Sequence, residues 1–227
     1  MKILTIIPAY NEEKTIEMVV KSSLQYSDVL VVDDGSTDKT ADLAKHAGAL
    51  VIKHEQNNGK GAAIKTGFNK ALKSDSDVLV LIDGDGQHDP RFILPLVDNM
   101  GDASMVICSR FMNGPATSMK LQRKISNKLT TSLLRLITGY MITDSQCGFR
   151  AISADSVPIF LSIPYDDYEF ESEMLYQASQ NNLSIREIPI PCSYKGEKSY
   201  ITWVKVLKYI FFIFKLLLRD LKWRIKH

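Results

Sequence analysis

Apolar residues in this chain follow two alternating rhythms up to about residue 110. Unbroken runs at Ile3 to Ala9, Val29 to Val32, Ala49 to Lys53, Val78 to Ile82 and Met105 to Cys108 read as strands buried on both faces. Between them apolar positions return every three or four residues, as at Ile16, Val19, Val20 and Leu24, which marks one face of a helix. Helices are expected from the Tyr10 to Glu13 turn to about Leu24, from a Ser36 or Thr37 cap to about His46, from Gly61 to about Leu72, and over Phe92 to Met100. Such βαβ alternation predicts an α/β fold, Rossmann-like, with a mainly parallel sheet covered by helices on both faces. Further on, Gln122 to Thr138 reads as a helix with Ile125, Leu129, Leu133, Leu136 and Ile137 on its apolar side. Phe149 to Ile152 is strand-like and Phe170 to Gln180 helical. Ile185 to Ile190 is a strand that Pro189 and Pro191 confine to an edge or a strand end.

Ligands of such sheets gather beyond the carboxyl ends of the strands. Three polar clusters leave those ends, Tyr10 to Glu13, Asp33 to Asp38 and Asp83 to Asp89, so they are expected to meet in one crevice. In Asp83-Gly84-Asp85-Gly86-Gln87 two carboxylates one small residue apart, with a neutral oxygen nearby, form a hard-oxygen set for a divalent cation; an Asp- and Gly-rich polar turn is the alternative. His88 is expected to be a surface turn histidine, with a place near the metal as the alternative. Mg²⁺ or Mn²⁺ binds through one or two carboxylates plus phosphate oxygens, so the clusters suit a diphosphate ligand, with Asp33 or Asp34 free to accept hydrogen bonds from a base or ribose.

The 227 residues, 45% hydrophobic, suffice for one domain with an appendage. Cys108, Cys147 and Cys192 have neither zinc-site spacing nor disulfide density, which points to a reducing, cytoplasmic setting. No signal peptide is expected at the N-terminus. A net charge of +2 makes no case for a nucleic-acid partner. There is no Gly-x-Gly-x-x-Gly after the first strand, no P-loop and no Gly-x-Ser-x-Gly elbow, which argues against dehydrogenase, kinase and serine-hydrolase chemistry.

Taken in order, Ile7-Pro8-Ala9-Tyr10-Asn11-Glu12, Val32-Asp33-Asp34-Gly35-Ser36-Thr37-Asp38, Asn58-Gly59-Lys60-Gly61 and Asp83-Gly84-Asp85-Gly86-Gln87 resemble a family 2 glycosyltransferase of the GT-A fold. Gln87, Ser109-Arg110-Phe111 and Asp144 with Cys147-Gly148-Phe149-Arg150 resemble more narrowly the dolichyl-phosphate mannose and glucose synthases. The resemblance covers about residues 1–200. It implies transfer of a hexose, with inversion at the anomeric carbon, from a nucleotide diphosphate sugar such as GDP-mannose or UDP-glucose to a polyprenyl phosphate. Nucleotide-sugar binding is implied for Pro8, Tyr10, Glu12, Asp33, Asp34, Lys60, Asp83 and Gly84, and metal binding for Asp83, Asp85 and Gln87. Arg110 and Arg123, helped by Ser126 or Asn127, are implied for the acceptor phosphate, and Asp85, Arg110 and Arg123 are the residues expected to carry catalysis. Lys60 either caps its loop or touches phosphate. Glu169, Glu171 and Glu173 suit a helix start, and Glu171 and Glu173 are retained as supporting groups. The Tyr194 to Ser199 loop resembles a basic segment that closes over donor and acceptor, with Lys195 and Lys198 supplying charge. Other readings are a family 2 transferase acting on another lipid or glycan, or a non-catalytic sugar-nucleotide-binding scaffold.

Residues 1–200 are thus expected to form the catalytic domain and 201–227 a basic, amphipathic segment. Val204, Leu207, Phe211, Phe214, Leu218, Leu221 and Ile225 recur at helical spacing beside a stripe of Lys205, Lys208, Lys215, Arg219, Lys222 and Lys226. The uncharged run Tyr209 to Phe214 is far shorter than the ~20 residues of a spanning helix. An interfacial helix on an anionic cytoplasmic leaflet is expected, peripheral or monotopic, with room for a membrane-protein partner or a homo-oligomer; a core-packing or dimer-forming helix is the alternative.

Overall fold

In chain order the computed structural model contains β1 (Ile3–Ala9), α1 (Ile16–Ser23), β2 (Asp28–Asp33), α2 (Thr40–His46), β3 (Leu50–Lys53), α3 (Lys60–Ala71), β4 (Val78–Leu81), a 3₁₀ turn (Pro90–Phe92), α4 (Ile93–Asp98), β5 (Met105–Ser109), α5 (Leu121–Thr138), β6 (Arg150–Ser153), α6 (Val157–Leu161), α7 (Glu169–Gln180), β7 (Ile185–Pro189) and α8 (Trp203–Lys226). It describes residues 1–113, 121–191 and 203–226. Cys192 and the Tyr194 to Ser199 loop lie outside the described residues.

A seven-stranded sheet in the order β3-β2-β1-β4-β6-β5-β7 forms the centre. The pairs β1–β2, β1–β4, β2–β3 and β5–β7 are parallel, whereas β6 is antiparallel to both β4 and β5. Among the described residues the sheet is therefore mixed, with only β6 reversed, and the carboxyl ends of β1, β2, β4 and β5 share one rim. Because β6 runs the other way, its entry, Cys147 to Arg150, reaches that same rim. Val29 to Val32 and Val78 to Leu81 are almost wholly buried, as unbroken apolar runs require. Edge strand β7 ends at Pro189, as its prolines dictate.

Two helix starts differ from expectation. The first helix begins at Ile16 because the N–H groups of Asn11 and Glu12 donate to Ser36 Oγ (2.9 Å) and Thr40 Oγ1 (2.8 Å), committing the segment to a loop. The second begins at Thr40, whose N–H donates to the Asp38 carboxylate at 2.9 Å; Asp38, and not Ser36 or Thr37, supplies that acceptor. The short α6, started by Pro158 in its first turn, has no counterpart in the apolar spacing.

α8 buries Phe212, Ile213 and Leu216 against the domain. Tyr209 Oη lies 2.7 Å from Ser172 Oγ, and Arg219 donates to Glu173 at 2.6 Å while stacking on Tyr176. Phe211, Phe214, Leu218 and Leu221, four members of the apolar stripe, stay exposed. α8 is therefore apolar on two sides, one packed on the domain and one open. Among the described residues no helix is long and apolar enough to cross a membrane.

Candidate active site

The loops after β1 and β2 are locked together. Asp34 N–H donates to Ala9 O (2.8 Å) and Thr37 N–H to Asn11 Oδ1 (3.0 Å), the latter with Asn11 at positive φ. Asp33 and Asp34, adjacent and both buried, divide their tasks. Asp34 accepts from His54 Nδ1 (2.7 Å) and from the N–H groups of Asn58 (3.0 Å) and Gly59 (2.8 Å), so it shapes the 54–59 turn and is not free for a ligand. Asp33 Oδ1 accepts Ser36 N–H, while the buried Oδ2 has no hydrogen-bond partner among the described residues and lies 3.5 Å from the Lys53 ammonium. Of the two candidates for a base or ribose, Asp33 is the one with an acceptor to spare. Gly35 is obligatory between this loop and the next: its φ is +75°, and a Cβ would stand 2.4 Å from the Gln56 carbonyl carbon.

After β4 the chain turns through Asp83 to Gln87. Thr15 Oγ1 donates to Gly84 O (2.7 Å), fastening this turn to the loop after β1. Asp85 accepts Gln87 N–H at 3.0 Å and the Gln87 side-chain amide at 2.5 Å. Asp83 is engaged differently: Lys60 Nζ, from the first residue of α3, lies 2.6 Å from Asp83 Oδ1 and 3.0 Å from Glu171 Oε1 of α7. Gly148 packs against all three groups, since a Cβ there would meet Glu171 Oε1 at 2.8 Å, Lys60 Nζ at 3.0 Å and Asp83 Oδ2 at 3.1 Å. Lys60 thus neither caps the loop nor stands free; sequence spacing gave no sign of its pairing with Glu171, 111 residues away.

The charges of this cluster are unevenly balanced. Burial opposes ionisation of Asp83, yet the Lys60 ammonium, with Arg110 adding to it, holds its carboxyl below the usual range. Asp85 has no cation in contact among the described residues, and burial and the neighbouring Asp83 outweigh Lys60 and push it up to about 6. Burial and Asp85 push Glu12 to about 7. Among the described residues no group of three or more His, Cys, Asp and Glu side chains forms a metal cage. The oxygens of Asp83, Asp85 and Gln87 would nevertheless suit a hard divalent cation bound together with phosphate oxygens, and the under-compensated acids of Asp85 and Glu12 are the charge it would neutralise.

His88 is not on the surface. It is buried, lies 3.8 Å through Nε2 from Cys147 Sγ and stacks on Phe149; burial lowers it to about 4, so it is a neutral packing group behind the acidic turn. Apolar neighbours from the β6 entry, far along the chain, enclose it.

Arg110, at the end of β5, is held by Asp144 through Nε–H (2.6 Å) and Nη2–H (2.9 Å), a bidentate pair in which Asp144 is fully buried. Glu187 accepts the N–H groups of Thr143 (2.7 Å) and Asp144 (3.0 Å) and fixes that loop. Arg150 is fully buried and donates to the carbonyls of Cys147, Glu171 and Ser145, making it a structural clamp for the β6 entry. Ser126 is exposed on α5 and Asn127 buried; Arg123 stands in the first turn of α5, its side chain outside the described residues. Tyr10 is exposed at the rim, and Pro8 pairs with Val32 inside the sheet.

The sequence pattern described as Glycosyl transferase family 2 matches residues 5–158. UDP-N-acetylglucosamine–dolichyl-phosphate N-acetylglucosaminyltransferase of Methanococcus voltae is 36% identical over 217 residues, covering 85% of this chain and 86% of its own. Undecaprenyl-phosphate mannosyltransferase of Micrococcus luteus is 33% identical over 201 residues, covering 84% and 83%. Among solved structures, Mycobacterium tuberculosis glucosyl-3-phosphoglycerate synthase in complex with Mn²⁺, UDP-glucose and phosphoglyceric acid superposes with a TM-score of 0.73 at 22% identity, over 96% of this chain and 79% of that one. The GT-A architecture expected from the motifs is the one observed.

Proposed function

The chain belongs to glycosyl transferase family 2, and from that premise we propose that it transfers a hexose from a nucleoside diphosphate sugar to a polyprenyl phosphate at the cytoplasmic face of a membrane. The observation that carries the reading is the acidic turn after β4, where Asp83 and Asp85 share one small, half-buried space with Glu12 and Lys60. The relatives that act on dolichyl and undecaprenyl phosphates support the acceptor class.

In this reading Asp33, with its spare acceptor oxygen, receives a donor N–H or O–H of the base or ribose, and Pro8, Tyr10, Glu12 and Gly84 border the nucleotide. Asp83, Asp85 and Gln87 would hold Mg²⁺ or Mn²⁺, which when bound neutralises charge on the departing nucleoside diphosphate. Asp34 drops out as a direct contact, because its oxygens are used within the protein. An acceptor phosphate is anionic near neutral pH, so its oxygen attacks the anomeric carbon without a strong general base. What it requires is placement beside positive charge, and the Arg110 guanidinium, held in orientation by Asp144, supplies that. Arg123, Ser126 and Asn127 of α5 complete the acceptor side in this proposal.

Residues 1–200 act as the catalytic domain, and the open side of α8 lies on the bilayer. Phe211, Phe214, Leu218 and Leu221 enter the interface, and the lysine-rich sequence of the helix suits a surface of anionic headgroups. Such docking brings a soluble domain to a headgroup that never leaves the membrane.

Incubating purified protein and Mn²⁺ with undecaprenyl or dolichyl phosphate and radiolabelled GDP-mannose, UDP-glucose or UDP-N-acetylglucosamine tests the activity. Organic-phase label is expected with one donor; no label with any of a full donor panel refutes it.

A further inference from the structure

Lys60 holds the carboxylate that the proposed metal site needs. Its ammonium is 2.6 Å from Asp83 Oδ1, inside the turn that would receive the cation, and a second carboxylate, Glu171, waits 3.0 Å away on the other side. The three groups are confined: Gly148 leaves no room beside them for even a methyl group, and Arg150 pins the carbonyl of Glu171 from below at 2.9 Å. A lysine shared between two carboxylates has two places to rest. An ammonium and a divalent cation cannot both sit at hydrogen-bonding distance on one Asp83 oxygen without strong repulsion.

We propose that Lys60 is a tethered competitor of the divalent cation at Asp83, and that Glu171 is the positioning residue that retains it when the cation enters. This rests on the assignment of Asp83 and Asp85 as metal ligands. In the donor-free protein Lys60 neutralises Asp83, so the site attracts a free cation weakly. When cation and nucleoside diphosphate arrive together, the cation takes Asp83, and Lys60 stays with Glu171, within reach of the added phosphate charge. The site then favours the cation–nucleotide pair over the cation alone, which gives ordered loading from electrostatics without movement of the backbone. Glu171 makes the exchange affordable, because a lysine expelled from Asp83 with no second anion would be a buried, unpaired charge.

The test is titration of nucleotide-free, full-length protein with Mn²⁺ alone, followed by electron paramagnetic resonance of the free ion. Lys60→Gln removes the competitor and is expected to tighten Mn²⁺ binding roughly tenfold, the size of effect one adjacent opposite charge commonly has on a carboxylate. Glu171→Gln removes the alternative resting place, confines Lys60 to Asp83 and is expected to weaken binding. Opposite signs are the signature, since a merely structural role would loosen the site in both variants. In steady state Lys60→Gln should raise the KM for donor while lowering the Mn²⁺ concentration required. Mn²⁺ binding by Lys60→Gln that is unchanged, weaker or undetectable overturns the proposal. Asp85→Asn separates the two levels: loss of Mn²⁺ binding there upholds the metal assignment even if the lysine variants fail, and retained binding overturns both.

Discussion

Asp85→Asn should make the protein more stable while abolishing its activity. Asp85 is crowded by Asp83 and Glu12 and buried, and its carboxyl titrates at about 6 against an ordinary 3.8. A folded pKa above the unfolded one means that folding binds protons: below about 3.8 the carboxyl is neutral in both states and costs nothing. As pH rises the unfolded chain ionises first, and the penalty is complete once pH passes about 6. Two pKa units correspond to about 3 kcal/mol, so at pH 8 the ionised Asp85 destabilises the fold by about that amount, and at pH 4.5 by about 1 kcal/mol. Asparagine keeps an oxygen for Gln87 N–H without the charge. Urea denaturation of both proteins at pH 8 and pH 4.5 is the assay, with a larger gain for the variant at the higher pH. Equal stability at pH 8, or a gain independent of pH, would refute the reasoning. Mn²⁺ should narrow the gap by stabilising the parent and not the variant.

Asp34→Ala leaves the Asn58 and Gly59 N–H groups and His54 without their acceptor and should cost about 3 kcal/mol in urea denaturation; a cost under 1 kcal/mol would show that the 54–59 turn does not depend on it. Gly148→Ala forces apart the ends of Lys60, Asp83 and Glu171, and because a displacement near 1 Å in a site can cost about a hundredfold, kcat/KM should fall on that scale with circular dichroism unchanged. Replacing Phe211 and Phe214 together by Ser should reduce co-sedimentation with anionic vesicles at least about tenfold without altering the thermal midpoint, since both are more than half exposed; undiminished binding argues against the open side of α8 as the membrane contact.

How far the chain could be read depended on the range of the interaction. Strands buried on both faces announce themselves as apolar runs, so β1, β2, β4 and β5 were legible almost to the residue, and with them the rim where the polar clusters meet. The reversal of β6 was not, because Arg150 to Ser153 would look the same in either direction. The acidic turn and the loops that contact it were legible from residue type and order. Which of Asp33 and Asp34 keeps a free oxygen was not, because it depends on the backbone of residues 58 and 59 folding over Asp34. The same holds for Lys60, whose partners come from β4 and α7, and for His88, whose burial is supplied by Cys147 and Phe149. In α8 the heptad-like spacing identified one apolar stripe, and the structure leaves its central members exposed while burying Phe212, Ile213 and Leu216 on another side. Spacing reveals amphipathicity, and in a helix apolar on two sides it does not say which side the domain takes.

The central claim is that the acceptor nucleophile is a lipid-borne phosphate. Acceptors offered in parallel to the same enzyme, Mn²⁺ and labelled donor decide it most directly: a polyprenyl phosphate, the corresponding unphosphorylated polyprenol, and 3-phosphoglycerate as a soluble phosphate ester. The account predicts label in the polyprenyl phosphate alone, lost in Arg110→Ala. Label in the polyprenol, or preferential label in the soluble ester, would contradict it.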